Sequence, residues 1–567
     1  MGMKKKVSFL LRVLYAIVLY TTITLSPYIY AYNTHPPKLT IIIVVDQLAH
    51  DYLYKLQPYF KYGFKYLLNN GVVYTNAHVP HGQPGTAVGH AGLNTGTYAK
   101  DHGFISNGWY ANAEEKVACD DDSSPDSFVI IPDKADATYD YGKSSHFLMV
   151  DGLSDQCVLQ STPYSSFKSF SISGKSRSAI ATASKLGKAI WFDSDSGLFT
   201  SSKSYFEELP QWLKDFNHNN NVNDLGSITW ERMYPKSPSA YQFFDIENYD
   251  YTRKDSMLNR PLPVPDFSHS KNRYHLFERT PQSNKQILDL AQVCIKNNVH
   301  RRTKDRLLLW VCLSPLDKLG HLYGPDSIET IDMIYHLDKQ LQKFMRSVVK
   351  VVGKHQVIFA LTADHGVQPL PELLHKKGLS LSQRLSIDDL LNPLNKQLQD
   401  LYQEKNIVSN MKGQELIIDP TIVAALSPED QKTLSNDVKY LASQSPLIKQ
   451  AWTFEQLSKM PTQPHSIEDN IKNQLFKGRS GQVIIEPYPY TLFTTEVKGT
   501  NHSRSPYNYN THVPLILFHR GRFERKYVRQ QVTSLQLANT LAELLNVPKP
   551  SASKAEVLPE LFDPEYQ

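Results

Sequence analysis

The chain has 567 residues and a formal net charge of +5. Four of its basic residues and none of its acidic ones fall within the first 31 positions, so the remainder carries about +1. This near-neutral remainder is long and apolar enough for a large globular core, and it lacks the Lys/Arg surplus of a nucleic-acid-binding chain.

In chain order, Lys4, Lys5 and Lys6 precede an apolar run from Val7 to Leu25 that is broken by one charge, Arg12, and followed by Ser26, Pro27 and Ala31. This layout predicts a signal peptide over residues 1–31 and export to the periplasm or beyond, with inner-membrane anchoring if the leader is retained. Residues 32–567 then form the folded protein. Leu39 to Val45 is a continuous run of apolar and β-branched residues, expected as a strand buried on both faces. The runs Leu307 to Leu313, Val357 to Thr362 and Val513 to Phe518 repeat that signature.

Pro84-Gly85 gives way to a helix from Thr86 through Leu93. Further helices are expected over Lys285 to Lys296, along the stripe Ile331, Ile334, Leu337, Leu341, Phe344 and Val348, and from Ser534 to Leu545. Strands alternating with helices predict an α/β fold with a mostly parallel central sheet sandwiched by helices. Two stretches break the rhythm, about 195–285 and about 370–480, and are read as insertions capping the sheet edge. Cys119 and Cys157 lie in polar, loop-like sequence and could pair in an oxidising compartment, whereas Cys294 and Cys312 read as buried thiols.

Ligands of open parallel sheets sit beyond the carboxyl ends of the strands. Asp46 follows Val45, Asp317 follows Leu313 at a short distance, and Asp364 with His365 follows Thr362 and Ala363, so these side chains are expected at one edge. Asp46 or Asp364 alone would read as a helix cap. With His321 four residues after Asp317 in a Gly-containing loop, with His365 before Gly366, and with His512 before the last strand, the set offers oxygen and nitrogen donors suited to zinc. Gly366 is expected to permit the tight turn that lets Asp364 and His365 share one ion. Thr86, at a helix N-terminus that favours phosphate, is the candidate nucleophile.

These fragments together resemble the alkaline phosphatase superfamily, in particular the bacterial periplasmic threonine-nucleophile phosphatases related to type I phosphodiesterases and nucleotide pyrophosphatases. The resemblance rests on Val44-Val45-Asp46-Gln47, Thr86-Ala87-Val88-Gly89-His90, Asp101-His102-Gly103 leading to Asn107, Asp317 to His321, Ala363-Asp364-His365-Gly366 and Tyr507 to His512, in the family's order. It implies two Zn2+ ions. Asp317, His321 and His512 would hold one, and Asp46, Thr86, Asp364 and His365 the other, about 4 Å away. It also implies a phosphothreonine intermediate and small phosphorylated substrates, with membrane contact only through an uncleaved leader.

Gly174-Lys175-Ser176-Arg177 resembles the Lys-x-Arg pair that binds the extra charge of a phosphomonoester, and Asn107 matches an Asn donating to the same group. Hydrolysis of phosphate monoesters is therefore expected. The alternatives are a type I phosphodiesterase or nucleotide pyrophosphatase and a non-catalytic exported zinc-binding protein. No Cys/Ser-x-Pro-x-Arg sequence supports a sulfatase, and Ser169 stands where a P-loop requires its first glycine. Asn510 replaces the family's usual aspartate and is expected to alter support of His512. His90 is expected as a packed helix residue rather than a ligand, and His502 and Arg504 as loop residues able to touch substrate.

Overall fold

The computed structural model describes residues 36–110, 115–134, 137–222, 230–241, 273–494 and 505–562. The expected signal peptide lies outside them. From Pro37 onward the chain forms one compact unit. At its centre is a ten-stranded sheet: β1 (Leu39–Val45), β2 (Val72–His78), β3 (Phe167–Ser173), β4 (Lys188–Asp193), β5 (Leu198–Thr200), β6 (Arg306–Leu313), β7 (Val357–Thr362), β8 (His512–Phe518), β9 (Lys526–Val528) and β10 (Val532–Thr533). The spatial order is β9-β2-β8-β7-β1-β6-β3-β4-β5, with β10 beside β2. β1 pairs in parallel with both β6 and β7. β8 runs antiparallel to β7 and β2, and β5 antiparallel to β4. The sheet is thus mostly parallel, and the reversed β8 brings its amino end, His512, to the edge where the parallel strands end.

Every residue of β1 is buried, because the strand feeds two cores. Leu39, Ile41, Ile43 and Val45 pack in one cluster, while Ile42 and Val44 pack in the other. This is the alternation of a pleated strand covered on both faces. The first core is closed by helices α1 (Gly63–Asn70), α2 (Pro281–Asn298) and α3 (Ile328–Val352), the second by a helix over Gln536–Leu545. Each buried aliphatic contributes about 1.5–3 kcal/mol, so truncating Ile41 or Ile42 to alanine would cost several times RT on either face.

The stretch at about 195–285 supplies β5 and a helix over Gln211–Asn219, and much of the rest of it lies outside the described residues. The stretch at about 370–480 joins with the segment just after it in a separate sheet, ordered Val408–Lys412, Glu415–Ile418, Val483–Pro487, Ile448–Thr453, all antiparallel. Helices over Ile387–Tyr402 and Pro428–Ser443 cover it. The polar, lysine-rich composition of this stretch masks strands such as Val408–Lys412, in which Ser409, Asn410 and Lys412 interrupt the apolar residues. All four cysteines are free and buried. Cys119 and Cys157 belong to different clusters, which rules out the disulfide the sequence allowed, and Cys157 sits on a helix over Leu153–Leu159 rather than in a loop.

Candidate active site

β1 and β6 run side by side up to Asp46, whose N–H donates to the Leu313 carbonyl at 3.0 Å. Gln47 then turns the chain with a left-handed backbone, φ 67°. For a residue with a Cβ that costs roughly 1–2 kcal/mol, and two contacts offset it. The Gln47 N–H donates to Asp364 Oδ1 and its Nε2 to Asp317 Oδ1, both at 3.1 Å. One buried glutamine therefore ties together the carboxylates that end three strands. No sequence signal marks it beyond its place after Asp46, because backbone φ is not written in composition.

Asp317 and His321 lie on a helix, α4 (Pro315–Tyr323), rather than in a loop. The helical repeat puts them one turn apart and on one face, with His321 Nε2 at 3.1 Å from Asp317 Oδ1. After β7, Asp364 and His365 sit in irregular backbone. His365 Nδ1 donates to the Gly366 carbonyl at 2.8 Å, which aims Nε2 at Asp364 Oδ2 (3.3 Å) and Asp317 Oδ1 (3.8 Å). Gly366 serves close approach rather than a left-handed turn: a Cβ there would stand 2.3 Å from the Tyr509 carbonyl oxygen. The Gly366 N–H donates to the Asn510 carbonyl at 2.7 Å.

Thr86 opens a fully buried helix, α5 (Thr86–Thr95). That helix presses on the backbone of Asp364, where a Cβ on Gly89 would meet the carbonyl oxygen at 2.2 Å. Thr86 Oγ1 is 3.4 Å from Lys175 Nζ. Asn107 Oδ1 accepts the Ala87 N–H at 3.0 Å, which fixes its amide beside the same helix N-terminus. Lys175 caps a helix over Ser176–Ala183, whose first turn carries Arg177. The segment before Thr86 is held by the stretch at about 370–480, for Gln474 accepts the Gln83 N–H at 2.8 Å and donates to its carbonyl at 3.1 Å.

The electrostatics of this cluster are those of a cation site. Asp46, Asp317 and Asp364 are all buried, and among the described residues Asp46 Oδ1 and Asp364 Oδ2 have no hydrogen-bond partner. Lys175 bridges Asp46 at 3.0 Å and Asp317 at 2.5 Å. Although its burial acts in the opposite sense, Asp317, Asp46 and Asp364 push its ammonium pKa above the ordinary value. Burial raises Asp317, yet His321 and Lys175 hold it well below the usual carboxylate range, while burial beside Asp46 pushes Asp364 up. Burying three carboxylates against one ammonium leaves negative charge uncompensated at a cost of several kcal/mol, so oxygens without hydrogen bonds that face imidazoles fit divalent metal ions. His90 belongs to the same cluster: Asp46, His90 and Asp364 each offer an atom, all within 4.8 Å of one another. Its Nδ1 donates to the Thr86 carbonyl at 2.8 Å and its Nε2 lies 3.5 Å from Asp46 Oδ1.

The structure thus gathers Asp46, Thr86, Asp317, His321, Asp364, His365 and Lys175, places Asn107 and Arg177 at the adjoining helix ends, and leaves His512 out. As the first residue of β8, His512 pairs across the sheet with His78. Its ring stacks on His78 at 4.8 Å and on His50 at 4.1 Å. His512 Nε2 donates to the Thr75 carbonyl at 2.9 Å. Burial, then neighbouring imidazoles, lower His50 and His78 to about 4, and burial lowers His512 too, so the stack is neutral near pH 7. The rings line a cavity of about 720 Å³ with Asp51, Tyr490 and Tyr509. The expected change that Asn510 makes in the support of His512 has no contact behind it among the described residues: Asn510 Nδ2 donates to Ser505 Oγ at 2.8 Å, and the Asn510 backbone carbonyl accepts the Gly366 N–H.

Residues 40–513 match the family model described as type I phosphodiesterase / nucleotide pyrophosphatase. The alkaline phosphatase PhoV of Synechococcus elongatus is 28% identical, over 95% of this chain and 95% of its own length. The alkaline phosphatase PafA of Elizabethkingia meningoseptica is 28% identical, over 93% and 94%. A crystal structure of wild-type alkaline phosphatase PafA superposes with a TM-score of 0.81 at 25% identity, covering 92% of this chain and 98% of that one.

Proposed function

The chain belongs to the type I phosphodiesterase / nucleotide pyrophosphatase family, and from that premise we propose that it works through a phosphothreonine on Thr86 beside two zinc ions. It is a hydrolase of the alkaline phosphatase kind, acting on phosphate monoesters. Asp46, Thr86, Asp364 and His365 would hold one ion, and Asp317 with His321 the other. His512 is spent on its stack, so the remaining donor of the second ion must be another group. His502, ten residues upstream, is the histidine the sequence offers there, and it lies outside the described residues. Imidazole and carboxylate donors without thiolate suit zinc. Zinc bound there would supply Lewis acidity, lowering the pKa of the threonine hydroxyl and offsetting charge on the leaving oxygen.

The chain's own groups do the rest. Thr86 Oγ1 attacks phosphorus from the first turn of α5, where the helix amino end favours the phosphoryl charge. The Asn107 amide and the Arg177 guanidinium donate to the same oxygens. The Lys175 ammonium, within reach of Thr86 Oγ1, exchanges part of its ion pairing with Asp46 and Asp317 for the dianionic phosphoryl group. Water then hydrolyses the phosphothreonine and frees phosphate. The observation that carries this reading is the buried Thr86 hydroxyl held 3.4 Å from Lys175, itself paired to Asp46 and Asp317. The leader-like N-terminus supports export to the periplasm or beyond, where small phosphorylated compounds are the substrates.

The test compares an aryl phosphate with its bis-aryl diester, before chelation, after it, and after zinc is restored. Monoester turnover should exceed diester turnover, vanish on chelation and return with zinc. A tenfold diester preference would favour the phosphodiesterase alternative, and activity surviving complete metal removal would exclude the zinc assignment.

A further inference from the structure

The loops at the amino ends of the parallel strands carry a charge pattern that the catalytic account does not use. Lys38 precedes β1, Arg301, Arg302 and Lys304 precede β6, Lys354 precedes β7, and Arg520 follows the reversed β8. Helix α3 ends here too, and helix carboxyl ends attract cations, which accounts for part of the pattern. Lys38 Nζ donates to the Arg301 and Thr303 carbonyls at 2.5 and 2.7 Å, Arg301 Nε to Val351 at 2.7 Å, and Arg306 to Leu545 at 2.6 Å.

Lys350, in the last turn of α3, obeys the same rule, but helix ends do not account for the rest. Arg302, Lys304, Arg346, Lys350, Lys354 and Arg520 are exposed, and among the described residues none has a carboxylate within ion-pairing distance. The nearby Asp305 is engaged by Ser166, through its N–H at 3.0 Å and its hydroxyl at 2.8 Å. Glu524 is the exposed acid of the loop after β8, alongside Arg522 and Arg525, while Lys526, the first residue of β9, pairs with Glu560 at 2.5 Å. Since the whole chain carries only +5, this edge concentrates positive charge that the total conceals.

Arg346, Lys350, Lys354 and Arg520 rim a trough of about 390 Å³ floored by Met345, Val349, Phe359 and Phe518, with no acidic residue in its lining. Tyr66 closes one side, 38% exposed, with its ring 5.2 Å from that of Phe518. Met345, Phe359 and Phe518 are buried in the floor, so what this face offers outward is its cationic rim with Tyr66, which matches the headgroup phosphates of an anionic bilayer. The chain also joins the sheet here: Lys38 contacts Arg301, whose guanidinium donates to the carbonyls of Lys350 and Val351. Leu25, the last residue of the apolar run, precedes Lys38 by 13 positions, a span of at most about 45 Å.

We propose that this amino-end face docks on an anionic phospholipid bilayer, with Arg346, Lys350, Lys354 and Arg520 on the headgroups and the catalytic edge turned to solvent. An apolar segment and a polybasic face together supply the two signals that stable membrane attachment requires.

The test is sedimentation of the full chain with vesicles of phosphatidylcholine alone or mixed with phosphatidylglycerol, at low salt and at about 0.5 M salt. The apolar run partitions into both lipids alike, so the difference between them reads the basic face. Phosphatidylglycerol should raise binding at least about tenfold at low salt, and high salt should remove the gain. The triple variant R346E/K350E/K354E should lose that gain, keep its binding to phosphatidylcholine and hydrolyse monoesters at the parental rate. Equal binding to both lipids, or an undiminished gain in the variant, would overturn the proposal. Tighter binding of the wild-type chain to duplex DNA than to the anionic vesicles would overturn it in favour of a nucleic-acid face. Monoester turnover is read separately, so failure here leaves the catalytic reading standing.

Discussion

The carboxyl edge of the central sheet buries Asp46, Asp317 and Asp364 against His90, His365 and Lys175, whereas the amino edge holds Arg302, Lys304, Lys350 and Lys354 in solvent. The same strands and helices generate both, and their helix ends bias the two edges toward opposite charge. What separates them is solvation. A buried carboxylate must be paired, coordinated or protonated, so its orphaned oxygens at Asp46 and Asp364 specify a cation and its place. An exposed ammonium is satisfied by water, so its position specifies a surface but not a reaction.

The sharpest contrast between the edges comes from the cations themselves. Lys175→Ala or Arg177→Ala should lower kcat/KM for a monoester about 100-fold, the usual loss when one donor to a developing charge is removed. Diester hydrolysis should fall only a few-fold, and steady-state kinetics on the paired substrates reads the difference. Equal losses would return Lys175 to a purely structural partner of Asp46 and Asp317. Gln47→Ala comes next. It removes the contact to Asp317, and metal affinity measured by competition with a chelator should weaken about 10-fold or more, the range for a group supporting metal ligands. Unchanged affinity would show that the left-handed turn at Gln47 needs no side chain to hold it. The smallest effect belongs to His512→Ala, which should leave metal content unaltered and turnover within about threefold. Loss of one zinc per chain in that variant would restore His512 to the ligand set.

That last contrast shows what the sequence could carry. Continuous apolar runs are legible because a doubly covered strand has no polar face, and β1, β6, β7 and β8 all lie where their composition places them. Carboxylates just past those runs could be assigned to one edge, since the direction of a parallel sheet settles it. His512 fails for a reason of the same kind. Its level along the sheet is fixed by β8, but its ring direction depends on cross-strand pairing with His78, which no single strand encodes. The separate sheet escaped notice because strands such as Val408–Lys412 mix Ser, Asn and Lys with apolar residues. Gln47 carries no signal, and His90 reads as a packed helix residue rather than a possible ligand, because their roles lie in contacts with Asp364, Asp317 and Asp46, distant in sequence.

The central claim is that the Thr86 hydroxyl attacks phosphorus, and trapping the covalent enzyme tests it most directly. After acid quench of the zinc-loaded enzyme during turnover of a monoester, peptide mass spectrometry should find phosphate on Thr86. The label should be absent from Thr86→Ala, whose turnover should fall by about 10⁴-fold or more while it still binds two metal ions. Undiminished turnover by Thr86→Ala, or phosphate trapped on another residue, would contradict the account.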